Sequence, residues 1–145
     1  MSRYVVDASV AVKWLVQEPF SDQAARLLTS GHTLVAPELL FAEATNALWA
    51  MCRRGDIGTT DFSEAVGVLR AAPVAVPATV RHLAAAAGRL AIDLDHPVYD
   101  CVYLALAMQE QCSVVTADRR FHEVVGAHPY LEDRIVHIRH LPAGT

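Results

Sequence analysis

"PVYDCVYLALAMQEQCSVVTAD", residues 97–118, runs one apolar segment into another of a different kind. Residues 97–111 start with Pro97, which suits a first helical position, and are apolar nearly all round, as in a buried helix. "SVVT" (113–116) is a short β-branched run and reads as a buried strand, with Asp118 just beyond it. A buried helix feeding a buried strand is half of a parallel crossover unit. Between residues 97 and 107 the only charged side chain is Asp100. A lone carboxylate in an apolar interior is costly unless it is paired, hydrogen-bonded or bound to a metal.

Outward from this stretch the pattern repeats. "RYVV" (3–6) is a strand ended by Asp7, "TLVAP" (33–37) a second, "VAV" (74–76) a short one between prolines, and "RIVHI" (134–138) the last. Helical spacing covers 8–17 with Asp7 as its cap, 21–31 opened by Ser21 and closed by Gly31, and 38–55 closed by a basic turn and Gly55. It also covers 59–72 capped by Thr59 or Thr60, 78–94, and 119–125. Strands alternating with helices predict an α/β fold: a three-layer α/β/α sandwich with a short, mainly parallel central sheet, in a single domain over 1–145.

The chain has 145 residues, 53% hydrophobic and 19% charged, which suits one globular domain. No apolar run reaches the 18 or so residues that cross a bilayer. The N-terminal "MSRYVVDASVAVKWLV" is broken by Asp7 and Lys13 and lacks a small-residue cleavage site, unlike a signal peptide. Cys52, Cys101 and Cys112 are widely spaced without a C-x-x-C pair, so reduced thiols and a cytoplasmic location are expected.

Four acids stand out. Asp7 and Asp118 follow strands in the same relation, at the edge where open α/β sheets bind ligands. Glu43 lies in the apolar helix "ELLFAEATNAL", and Asp100 in the helix already quoted. Each also has an ordinary structural reading: Asp7 and Asp118 as N-caps, Asp100 as a complement to the helix dipole, Glu43 as a solvated position. Read together they form a cluster that cannot stay ionised without a cation. A hard ion with oxygen ligands, Mg²⁺ or Mn²⁺, is the natural one, and such a site activates water against a phosphodiester. The net charge of −4 argues weakly against a nucleic-acid partner, but setting the four acids aside leaves 12 acidic against 12 basic residues. Arg53, Arg54, Arg119 and Arg120 are then candidates to grip phosphates beside the acidic edge. Lys13 and Trp14 are weaker ones, Trp14 suiting the core better than a base-stacking platform.

"VVDASV", "PELLFAEATNAL", "VYDCVYLALA" and "VVTADRRF", in this order and spacing, resemble the PIN domain, and more narrowly the VapC-type toxins of bacterial toxin–antitoxin pairs. The resemblance covers nearly the whole chain. It implies a PIN-like, metal-dependent endoribonuclease whose catalytic and metal-binding acids are Asp7, Glu43, Asp100 and Asp118. It also implies supporting polar residues at Ser9, Asn46 and Thr116, products with 5′-phosphate and 3′-hydroxyl ends, a homodimer, and a small VapB-like antitoxin partner. Some PIN nucleases carry a further acid after the fourth, where this chain has Arg119 and Arg120. A different class of reading is a catalytically silent PIN-like module that binds RNA or a protein partner; retention of all four acids speaks against it.

Other chemistries lack their motifs. His137 and His140 form an H-x-x-H pair in a strand and its exit rather than on a helix, and His122 and His128 lack evident partners, which disfavours zinc. No G-x-S-x-G, G-x-x-x-x-G-K-[ST] or G-x-G-x-x-G occurs. Ser9 stands where an aspartyl-phosphate phosphatase would need its second acid.

Overall fold

Both Val5 and Val6 are fully buried, as are Val114 and Val115. Neighbouring residues of a strand point to opposite faces, so the sheet these residues form is covered on both sides. The structure, a computed structural model, describes residues 2–141; Met1 and 142–145, part of the expected 1–145 span, lie outside the described residues.

The strands are β1 (Arg3–Val6), β2 (Thr33–Val35), β3 (Ser113–Thr116) and β4 (Ile135–His137). The helices are α1 (Ala8–Ala11), α2 (Ser21–Thr29), α3 (Leu39–Arg53), α4 (Thr59–Arg70), α5 (Val80–Leu94), α6 (Val98–Gln109) and α7 (Arg119–Gly126). Every strand pairing is parallel and the order is β2-β1-β3-β4, so the three-layer α/β/α expectation holds. The chain leaves β1 toward one edge and later returns through β3 on its other side. The β1/β3 boundary is therefore the topological switch point, where the carboxyl ends of adjacent strands open a crevice. Helix α6 packs on both β1 and β3 and against α5. Its Tyr103, Leu104 and Leu106 are among the most deeply buried side chains, with Phe121 of α7.

The elements differ from the sequence reading in four places. The helix expected over 8–17 stops at Ala11 and tightens into a 3₁₀ turn, Val12–Trp14. That turn carries Trp14 to α2, where its indole N–H donates to Ala24 O at 2.8 Å; Trp14 is a core anchor. "VAV" forms only a single parallel bridge, Val35 to Ala75, because the flanking prolines lack the N–H that a longer ladder needs. The last strand ends at His137, whose Nδ1 accepts from Arg139 N–H and turns the chain into a 3₁₀ helix, Ile138–His140. Helix α4 is capped by Gly58 rather than a threonine, with Asp61 accepting the Gly58 N–H at 3.3 Å; α2 does open at Ser21, after Phe20 in the left-handed region (φ 69°). Among the described residues no helix is long and apolar enough to cross a membrane.

Helix α3 ends as its composition predicts. Gly55 takes a left-handed φ of 82°, and the N–H groups of Gly55 and Asp56 donate to the carbonyls of Cys52 and Met51. Nothing lies within 4 Å of where a Cβ would sit on Gly55, so the backbone conformation alone opposes a side chain. Gly55→Ala is expected to lower stability by about 1–2 kcal/mol in urea unfolding; an unchanged midpoint would contradict this account of the turn.

Candidate active site

Asp7 follows β1, and its N–H still pairs with Val115 O on the neighbouring strand at 3.1 Å. Its side chain does not cap α1. It turns instead to two hydroxyls: Asp7 Oδ2 accepts from Ser9 Oγ at 2.6 Å and from Thr116 Oγ1 at 2.8 Å. A hydroxyl has one proton to give, so both are committed to Asp7, while their oxygens accept the N–H groups of Ala117 (2.9 Å) and Asp118 (3.0 Å) respectively. The β1 and β3 ends are thereby tied together around a single carboxylate oxygen. Ser9 and Thr116 are thus brought to the site. Asn46, one turn along α3 from Glu43, is exposed and does not line the cleft.

That cleft, about 220 Å³, is lined by Asp7, Ala8, Ser9, Val12, Glu43, Ala47, Asp100 and Asp118. The four acids come from a strand end, from α3, from α6 and from the start of α7. Each has one oxygen held. Glu43 Oε1 accepts from the Tyr103 hydroxyl at 2.7 Å, Asp100 Oδ2 bonds His96 Nε2 at 2.7 Å, and Asp118 Oδ1 accepts from Phe121 N–H at 3.2 Å. Among the described residues no hydrogen bond reaches the second oxygen of any of the four. Among the described residues no buried side-chain polar atom is left without a partner, so those second oxygens are not sealed in the core, and all four acids line the cleft. Asp118 is therefore both an N-cap and a site acid. Tyr103 and His96 were not singled out from sequence. Their signal was spacing: Tyr103 lies three residues after Asp100, one turn along α6, and His96 lies four before it, in the turn that leads into the helix.

Burial pushes the Asp7 carboxyl up to about 6, against the lowering effect of the Ser9 and Thr116 hydrogen bonds and with a further push from Asp100 and Glu43. Glu43 is also raised, first by burial, then by Asp100, with the Tyr103 hydrogen bond opposing. Burial lifts the Cys101 thiol to about 11, which leaves it protonated and no nucleophile at neutral pH. The donors suit a hard cation. Among the described residues no three His, Cys, Asp or Glu side chains form a ready-made ligand set. Mg²⁺ does not require one, because it keeps several waters and takes one or two carboxylates. The site fits a hydrated Mg²⁺ or Mn²⁺ and not a closed all-protein cage.

The arginines divide. Arg119 and Arg120 are exposed beside Asp118, and Arg119 approaches Glu123 at 3.9 Å. Arg53 lies over the Trp49 ring at 5.5 Å, and Arg54 pairs with Asp56 at 3.0 Å. These two stand about 15 Å along α3 from Glu43, at 1.5 Å per residue, so they are not neighbours of the acids. Lys13 is engaged with Glu18 at 3.0 Å.

Burial holds the Asp7 carboxyl at about 6 in the folded chain, against 3.8 for a solvated aspartate. Folding stability therefore falls as pH rises through this window, and the penalty persists above it. In chelator at pH 7, Asp7→Asn is expected to be more stable than the parent by about 3 kcal/mol, the difference narrowing as pH falls from 6 toward 3.8. Urea unfolding across this range checks it; equal stability at pH 7 would contradict the burial argument.

Comparison with known proteins gives the family and the fold. Residues 4–127 match the PIN domain family. Ribonuclease VapC3 from Pyrobaculum aerophilum is 33% identical over 125 residues, which cover 83% of this chain and 93% of that one. A crystal structure from Pyrobaculum aerophilum shares the fold with a TM-score of 0.66 at 21% identity, over 95% of this chain and 85% of that one. VapBC2 from Rickettsia felis, solved bound to a promoter DNA fragment, shares it with a TM-score of 0.63 at 14% identity, over 93% of this chain and 98% of that one. With its four acids gathered at the β1/β3 switch point and this kinship along nearly its whole length, the chain belongs to the PIN-domain family and stands among the VapC-type members of it.

Proposed function

We propose that the chain is a metal-dependent endoribonuclease, the toxin component of a type II toxin–antitoxin pair. The observation that carries this reading is the convergence of Asp7, Glu43, Asp100 and Asp118 on one cleft, each with a carboxylate oxygen free of any donor. The ribonuclease among its relatives supports RNA as the substrate.

Mg²⁺, with Mn²⁺ as substitute, would be held by Asp7, Asp100 and Asp118, directly or through its waters, with Glu43 as a further ligand or water-orienting group. When bound, the ion supplies an activated water and neutralises charge developing on the scissile phosphate. The protein does the rest by position. Ser9 and Thr116 fix Asp7 by one oxygen and turn the other to the cleft. Tyr103 does the same for Glu43, whose unbonded Oε2 would orient the attacking water. Arg119 and Arg120, exposed and next to Asp118 in the chain, would serve as phosphate contacts, which position a strand without reading its sequence. In-line attack at phosphorus leaves 5′-phosphate and 3′-hydroxyl ends.

A cytoplasmic location, a homodimer and a small VapB-like antitoxin belong to the same reading. Toxin–antitoxin complexes from Klebsiella pneumoniae and Rickettsia felis share this fold, and exposed apolar side chains such as Val68, Ile92 and Tyr99 offer surface for partners.

The test is cleavage of a cellular RNA pool by purified chain freed of antitoxin, with Mg²⁺ or Mn²⁺, with chelator, and with Asp7→Asn. Discrete cuts bearing 5′-phosphates are expected, lost with chelator. Asp7→Asn should lose more than the roughly 10–100-fold that removing an outer-shell partner costs. Ends carrying 2′,3′-cyclic phosphate, or cleavage that survives chelator, would refute the mechanism. No cleavage with either metal would favour a silent RNA- or partner-binding module.

A further inference from the structure

His96 belongs to neither α5 nor α6 but to the turn between them. Asp95 adopts a left-handed φ of 51°, and the His96 N–H donates to Ala91 O at 3.2 Å. Pro97 then starts α6. This tight reversal turns the imidazole inward, so that only 6% of the side chain is exposed, against 25% for Asp100.

Two contacts fix the ring. Nε2 lies 2.7 Å from Asp100 Oδ2, and the ring lies flat on Phe121, with centroids 5.4 Å apart and planes 9° apart. An ionised carboxylate only accepts, so Nε2 carries the hydrogen of this bond. Phe121 is fully buried, and its own N–H donates to Asp118 Oδ1. One residue of α7 therefore backs two site acids from different helices: its amide holds Asp118, and its ring holds His96, which holds Asp100. An exposed i,i+4 pair would contribute little and would leave the imidazole free to rotate. Here the ring is buried, stacked and bonded, which fixes Asp100 by Oδ2 and leaves Oδ1 unbonded in a residue that lines the cleft.

We infer that His96 is a positioning residue for Asp100, holding one oxygen of a metal-binding carboxylate through its Nε2–H while Phe121 fixes the ring. This rests on the reading of the cleft as a Mg²⁺ or Mn²⁺ site. Outer-shell partners of this kind orient ligands that would otherwise sample several rotamers, and losing one typically costs about 10–100-fold in metal affinity or activity.

The experiment is a calorimetric titration of the metal-free full chain with Mn²⁺, alongside circular dichroism to monitor folding. His96→Phe keeps a flat ring for Phe121 and removes the donor. His96→Gln restores an N–H donor at similar reach without the ring. The inference expects His96→Phe to stay folded and lose about 10–100-fold in Mn²⁺ affinity, with His96→Gln recovering most of that loss. Parental Mn²⁺ affinity in His96→Phe, while Asp100→Asn binds weakly, would overturn it and leave the metal site standing. So would a His96→Phe chain that no longer folds, or a Gln variant no better than Phe, since either makes the role one of packing. Parental affinity in Asp100→Asn would remove the site reading itself, and the inference with it.

Discussion

Four carboxylates share one cleft in this protein, and the arrangement depends on how each is held. Like charges at close quarters repel, and burial adds to the penalty; the Asp7 carboxyl shows both effects. The fold answers by giving every acid a donor on one oxygen only: two hydroxyls for Asp7, a phenol for Glu43, an imidazole for Asp100 and a backbone amide for Asp118. One-sided bonding fixes direction without saturating the group, so the side chains cannot swing apart to relieve repulsion. The strain is a local violation of good packing rules of the kind that proteins keep at functional sites. On the proposed reading a divalent cation would relieve it, which would make the stability of the fold and affinity for the ion two aspects of one constraint.

The constraint also explains why so small a sheet suffices. Four strands of three or four residues would be marginal alone. Their covered faces and the buried face of α6 build a core that runs up to the carboxyl ends of β1 and β3. Asp7, Thr116 and Asp118 sit at that rim because β1 and β3 are parallel neighbours in register, Val6 opposite Val115. Helix α6 then contributes from both sides of Asp100. Tyr103 reaches across to α3, and the turn before the helix returns His96 to the same carboxylate.

Much of this was legible in the sequence. The β-branched runs at 3–6 and 113–116 and the apolar helix at 97–111 specify a covered parallel sheet, because their periods leave no solvent face. The four acids were conspicuous for standing at strand ends or in apolar helices. What stayed hidden were relations of distance. Tyr103 reads as one more core aromatic until α3 is laid against α6, since only then does its hydroxyl meet Glu43. His96 reads as a loop histidine until the left-handed Asp95 turns it inward. The three-residue pairing expected at 74–76 failed for a local reason, the absent N–H groups of Pro73 and Pro77, while the helix expected through residue 17 gave way to the reach of Trp14.

The histidines provide an internal contrast. The His122, His137 and His140 rings stand 5.8–6.2 Å apart, close enough to suggest a metal. Yet His137 spends Nδ1 on the Arg139 N–H and is also hydrogen-bonded to the Ala117 backbone, so it has no lone pair to offer. The central ring of the three is thus spent, whereas each of the four cleft acids keeps an oxygen free of hydrogen bonds. Anomalous diffraction from crystals grown with Mn²⁺ tests this most directly. The account predicts a peak in the cleft between Asp7 and Asp100; a peak at the histidines instead, or an empty cleft at saturating Mn²⁺, would contradict it.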